Sequence, residues 1–288
     1  MELIDVVNSQ NITLRGGFWS NVRSKDTCVL FVPGMAGNFI ENKFIQVLGE
    51  ECEKNGIAFL CGHNQGSFQI CDLPYSNNEC EKTSVRRGAA FEMFDDCIAD
   101  ISAYVDYITK CGFSNIVLIG HSLGANKVIY YLSKNNKKTI NKYVLLSPQD
   151  ITLLLETDEN YKELYSEARE KVANGSPDKF LSEFFGGWCA MSAKRYVDLY
   201  ENQNARNLPI VSGVGSFKQL KSIQKPLLVI AGSEDDIYPS NISTLLEQQT
   251  IEADNQKLST WKIIDGANHT YDDKEKELAK EVLSFIKG

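Results

Sequence analysis

Ser122 lies in Gly120-His121-Ser122-Leu123-Gly124, between an apolar run that reads as a strand and an amphipathic run that reads as a helix. A strand–turn–helix bend of this kind projects a serine oxygen from the turn, and glycines two residues to either side have no Cβ to collide with strand or helix. To attack a carbonyl, such a serine needs a general base, and the base needs an acid that fixes its tautomer. The chain has only three histidines. His121 is inside the turn, and its side chain is expected against the sheet. His63, in Gly62-His63-Asn64-Gln65-Gly66, reads as structural or as a pocket wall. His269, in Gly266-Ala267-Asn268-His269, follows the last strand and is the candidate base. For the acid, Gly232-Ser233-Glu234-Asp235-Asp236 offers three carboxylates after the strand Leu227–Ala231.

The elements around these residues give them a common edge. Short apolar runs at Cys28–Val32, Ile57–Leu60, Ile116–Ile119, Tyr143–Leu146, Leu227–Ala231 and Trp261–Ile264 read as strands, most of them buried on both faces. Helical patterns separate them at 44–55, 91–110, 125–134 and 273–287. In 91–110, Phe91, Phe94, Ile98, Ile101, Val105 and Ile108 share one face, and Asp95, Asp96, Asp100 and Asp106 are expected on the solvated one. Alternating strands and helices predict a mainly parallel sheet flanked by helices. Loops at the carboxyl ends of its strands gather where ligands bind, so Ser122, the acidic turn and His269 can meet there. Between Gln149 and Lys225 the pattern is helical and aromatic, with no clear strand. It divides the chain into a core part at 1–148, a helical lid at 149–225 and the rest of the core at 226–288.

Composition narrows the partners. At 288 residues with a net charge of −8 and a pI near 5.1, the chain suits neither nucleic acid nor an anionic membrane surface. The amino-terminal Met1-Glu2-Leu3-Ile4-Asp5 lacks the basic and apolar regions of a signal peptide, and no apolar run is long enough to span a bilayer. The eight cysteines show no metal-ligand spacing, and a cytoplasmic chain with reduced thiols is expected. A Cys71–Cys80 bridge is conceivable, but the compartment argument runs against it.

The chain resembles the α/β-hydrolase superfamily from about Cys28 to Ile286. Pro33-Gly34, Gly120-His121-Ser122-Leu123-Gly124, Gly232-x-x-Asp235-x-x-x-Pro239 and Gly266-Ala267-Asn268-His269 carry the resemblance, in the order serine, acid, histidine. It implies the α/β-hydrolase fold, a Ser122–Asp235–His269 triad with Asp236 as the alternative acid, and no metal or organic cofactor. It also implies an oxyanion hole formed by the backbone N–H of Leu123 and of Met35, with Ala36 as the alternative to Met35. Gly88-Ala89-Ala90-Phe91-Glu92 is similar to small intracellular esterases, including siderophore-ester hydrolases. The implied substrate is a small or medium-sized ester, and Ala36, His63, Phe184 and Trp188 are the candidate pocket residues. Thioesterase, amidase, C–C hydrolase or acyltransferase chemistry would keep the same triad, and a ligand-sensing receptor on this fold would not need it.

Overall fold

In the computed structural model, residues 1–76, 83–156, 158–238, 245, 247 and 259–288 are described. The elements run β1 (Glu2–Val7), β2 (Thr13–Trp19), β3 (Thr27–Val32), α1 (Lys43–Lys54), β4 (Ala58–Gly62), β5 (Cys71–Pro74), β6 (Ser84–Arg87), α2 (Asp96–Lys110), β7 (Asn115–His121), α3 (Leu123–Lys134) and β8 (Ile140–Leu146). There follow α4 (Ile151–Glu156), α5 (Tyr161–Ala173), α6 (Ala193–Glu201), α7 (Gln203–Arg206), α8 (Lys218–Ser222), β9 (Leu227–Gly232), β10 (Ser259–Ile264) and α9 (Glu275–Lys287).

Eight strands form one sheet in the order β1-β2-β4-β3-β7-β8-β9-β10. From β4 to β10 every pairing is parallel, and β1 and β2 add an antiparallel edge. The strands expected from the apolar runs are all present. The antiparallel pair was not expected, and its sequence explains why. Strand β2 spends Gly16 and Gly17 where β-formers would signal a strand, and β1 exposes most of its residues at the sheet edge.

Alternate residues of the central strands feed two cores. Val29, Phe31, Ile119 and Val144 pack under α1 and α9 with Phe44, Leu48, Leu278 and Val282. Leu30, Leu118, Leu145 and Val229 pack under α2 and α3 with Ile101, Val105 and Val128.

Two expectations for α2 need correction. The helix begins at Asp96, not Phe91, because Gly88 takes a positive φ of 99° and the following residues form turns. Nor is its acidic side uniformly solvated. Asp100 is 1% exposed and Asp96 is also buried, because the β1–β2 turn and the loop after β4 cover them with amide groups from Asn8, Gln10 and Gln65.

Helices α4–α8 all fall between β8 and β9. They are joined to the core by the buried Asp198 of α6, which accepts from Phe94 N–H at 3.0 Å, and by Arg206 of α7, which pairs with Asp198 at 2.8 Å and reaches the exposed Asp95 beside α2 at 2.9 Å. Among the described residues no helix is long and apolar enough to cross a membrane.

Candidate active site

Ser122 terminates β7 with φ 54° and ψ −128°. A non-glycine residue with that φ stores about 1–3 kcal/mol of strain, so the surrounding structure must over-determine it. It does: Ser122 N–H donates to Leu146 O at 2.9 Å, and Ser122 O accepts from Ala125 N–H at 2.9 Å. The flanking glycines are obligatory by contact. A Cβ on Gly124 would stand 2.2 Å from Val32 O, and one on Gly120 would stand 2.4 Å from Gly124 O. Gly124→Ala should therefore cost about 2 kcal/mol or more through overpacking against backbone, measured as a lower urea midpoint with an unchanged slope.

Beyond β3, Gly34 faces the serine. A Cβ there would stand 2.9 Å from Ser122 Cβ and 3.3 Å from Leu123 N. Glycine thus keeps the first amide of α3 approachable from this side. Ala36 has φ 58°, and both of its backbone groups are engaged: its N–H donates to Gly66 O at 3.0 Å, and its O accepts from Phe68 N–H at 2.9 Å.

The acidic turn after β9 and the turn after β10 are joined by Glu234 N–H donating to Ala267 O at 2.9 Å. Their side chains meet where His269 Nδ1 donates to Asp235 Oδ1 at 3.0 Å, with Oδ2 at 3.3 Å. With Nδ1 donating, Nε2 is the ring nitrogen left to accept. Asp235 is buried, whereas Glu234 and Asp236 are exposed. Burial alone would raise the Asp235 pKa. The hydrogen bond and charge of His269, together with the Ser147 hydroxyl and Ile237 N–H, outweigh burial and hold the carboxyl below its usual range. Ser147 in turn meets Tyr271 Oη at 2.9 Å. Sequence reasoning overlooked Ser147 and Tyr271; the only available signal was the place of Ser147 at the carboxyl end of β8.

His121 links the serine turn to the histidine turn. Its Nε2 donates to His269 O at 2.9 Å, and its ring packs on Phe44 and Tyr271. Burial, helped by the charge of His269, pushes its pKa down to about 3. His63, stacked on Phe39 and edged by Phe68, is pushed down to about 4 by burial and by Arg15. Asp100 is shifted the other way, up to about 7, because burial outweighs its amide hydrogen bonds.

An unfolded histidine titrates near 6.5, so between about pH 6 and 4.5 unfolding takes up two protons at the histidines and releases one from Asp100. Stability should therefore fall by about 1.4 kcal/mol per pH unit on acidification through that window, and twice as steeply in Asp100→Asn. Urea titrations at several pH values would measure both slopes.

A cavity of about 720 Å³ adjoins the acidic turn, lined by Asp236, Ile237 and Tyr238 from that turn, Gln149 and Leu153 from the segment after β8, and Trp188 above. Trp188 is thus at the cavity. Phe184 is 61% exposed and is not among its lining residues, and His63 lines a separate cavity of about 350 Å³ beside Arg15 and Cys71. Pro239 of the acidic motif and Cys80 of the suggested bridge lie outside the described residues, and Cys71 is a free thiol.

Residues 72–287 match the family described as protein of unknown function DUF1749. The chain belongs to that family. A curated relative, the bifunctional esterase/perhydrolase DCH of Acinetobacter calcoaceticus, is 26% identical over 209 residues, which are 66% of this chain and 72% of the relative. Among solved structures, Est1E of Butyrivibrio proteoclasticus with ferulic acid bound superposes with a TM-score of 0.65 at 17% identity, covering 98% of this chain and 97% of that one. The Pyrococcus furiosus esterase Pf2001 gives 0.61 at 18% identity, covering 99% and 89%. This DUF1749 chain has the α/β-hydrolase fold.

Proposed function

We propose that the protein is a serine hydrolase that cleaves carboxylic esters through an acyl-enzyme. The observation that carries this reading is the strained Ser122 turn, tied through His121 to the turn that holds a His269–Asp235 pair joined by an Nδ1–H···O bond. The esterase relative agrees with it.

Ser122 Oγ attacks the ester carbonyl carbon while His269 Nε2 takes its proton, and Asp235 stabilises the resulting imidazolium. The oxyanion is received by the N–H groups of Leu123 and Met35. Met35 is favoured over Ala36 because the Ala36 N–H is already given to Gly66 O. The imidazolium returns its proton to the departing alcohol. Water then enters, His269 removes a proton from it as the hydroxyl adds to the acyl carbon, and the imidazolium returns that proton to Ser122 Oγ as the C–Oγ bond breaks and the carboxylic acid leaves. Helices α4–α8 and their connecting loops form a cap that sets the choice of substrate; its Leu153, Leu154 and Trp188 line the 720 Å³ cavity beside the acidic turn, which Ser122 and His269 do not line.

A fluorophosphonate should label Ser122 in the native protein, located by peptide mass spectrometry, and His269→Ala should lose the label. A panel of short and medium p-nitrophenyl esters, with thioesters and lactones beside them, should show turnover. A native protein that resists the probe and turns over none of the panel refutes the hydrolase reading.

A further inference from the structure

The loop at residues 63–68 grips the turn after β3 at three points. Asn64 Nδ2 donates to Pro33 O at 3.0 Å, Ala36 N–H donates to Gly66 O at 3.0 Å, and Phe68 N–H donates to Ala36 O at 2.9 Å. Met35 lies between the gripped residues, so this grip sets the direction of its N–H. The loop itself rests on buried carboxylates that take no part in the mechanism above. Asp100 Oδ2 accepts from Gln65 N–H at 2.8 Å, and Oδ1 accepts from Gln65 Nε2 at 3.0 Å and from Asn8 Nδ2 at 2.8 Å. Next to it, the buried Glu92, paired with Lys127 at 2.5 Å, fills the space at Gly66, where an added Cβ would stand 2.2 Å from Glu92 Oε2.

We infer that Asp100 is a positioning residue for the oxyanion donor at Met35. It holds Gln65, the Gly66–Phe68 segment holds Ala36, and Ala36 aims the neighbouring amide at the carbonyl carried by Ser122. The inference rests on the hydrolase reading. It accounts for a carboxylate buried one helix away from the chemistry whose hydrogen-bond partners, among the described residues, are Gln65 of this loop and Asn8, which reaches over from the β1–β2 turn. An oxyanion donor binds the tetrahedral oxygen more strongly than the ground-state carbonyl, so a misaimed donor lowers kcat and spares KM.

The test compares native protein, Asp100→Ala and Asp100→Asn, each checked for a cooperative melt. The assays are kcat and KM on a short p-nitrophenyl ester, affinity for an aryl trifluoromethyl ketone, and affinity for the matching unreactive amide. The ketone forms an oxyanion on Ser122 and the amide does not. In Asp100→Ala, kcat should fall about 10- to 100-fold with KM within about threefold, since misplacement costs less than deletion of a donor. Ketone affinity should fall in parallel, and amide affinity should hold. Asp100→Asn keeps one oxygen for Gln65 N–H and should recover part of the loss, remaining about three- to tenfold below native in kcat.

A folded Asp100→Ala protein with native kcat and ketone affinity overturns the inference, as does a loss shared equally by ketone and amide. If the alanine variant fails to fold, the asparagine variant decides: native kcat and native ketone affinity there overturn it. A native protein inert toward both ester and ketone refutes the hydrolase reading instead.

Discussion

Replacing Ser122 with alanine should lower ester turnover by about 10⁴- to 10⁶-fold while leaving the fold intact. Among the described residues the serine hydroxyl makes no hydrogen bond that a methyl group would forfeit. The bonds that hold the turn run through its backbone, from Ser122 N–H to Leu146 O and from Ala125 N–H to Ser122 O. The strained φ of 54° is as accessible to alanine as to serine, so the melting temperature should stay within a few degrees of native. What is lost is the proposed nucleophile. The residual rate should come from the two amides, which would still polarise a bound carbonyl toward water. His269→Ala should cost a similar factor, and the double variant should be little worse than either single one, because a nucleophile and its base act as a unit. Additive losses would mean that the two side chains serve separate steps. A Ser122→Ala protein with native turnover would move the chemistry to another residue.

The parts of this site that were legible in the sequence are those governed by local sterics. Gly120 and Gly124 bracket Ser122 because backbone atoms occupy the places where their Cβ atoms would go, and that demand shows up as a spacing. The parallel strands were legible because burial on both faces leaves continuous apolar runs such as Ile116–Ile119. Asp100 was misread because periodicity reports only what a helix face resembles, whereas its cover comes from Asn8 and Gln65, which are distant in sequence. The choice between Met35 and Ala36 was open for the same reason: the bond from Ala36 N–H to Gly66 O joins two loops that share no pattern. Asp235 could be preferred to Asp236 only by resemblance. The separation seen in the structure is one of burial, with Asp235 turned inward to His269 and Asp236 outward to the cavity.

That separation gives the second large effect. Asp235→Asn should lower kcat by about 10⁴-fold, and Asp236→Asn should leave it within about threefold. The carboxylate accepts the Nδ1–H of His269 through both oxygens, at 3.0 and 3.3 Å, and so fixes the tautomer with Nε2 bare. An asparagine keeps one acceptor oxygen where the carboxylate offers two, and its NH₂ presents a donor to Nδ1. The imidazole then accepts at Nδ1 and carries its proton on Nε2, where it cannot take one from Ser122. The loss of negative charge adds to this, since the imidazolium formed during attack would stand half-buried without the counter-charge of Asp235. Two readouts separate this from simple unfolding. The variant should melt cooperatively, and Nε2 protonation of His269 should appear directly in the ¹⁵N shifts of the labelled imidazole. An Asp235→Asn protein that keeps native turnover, or an Asp236→Asn protein that loses it, would reverse the assignment of the acid.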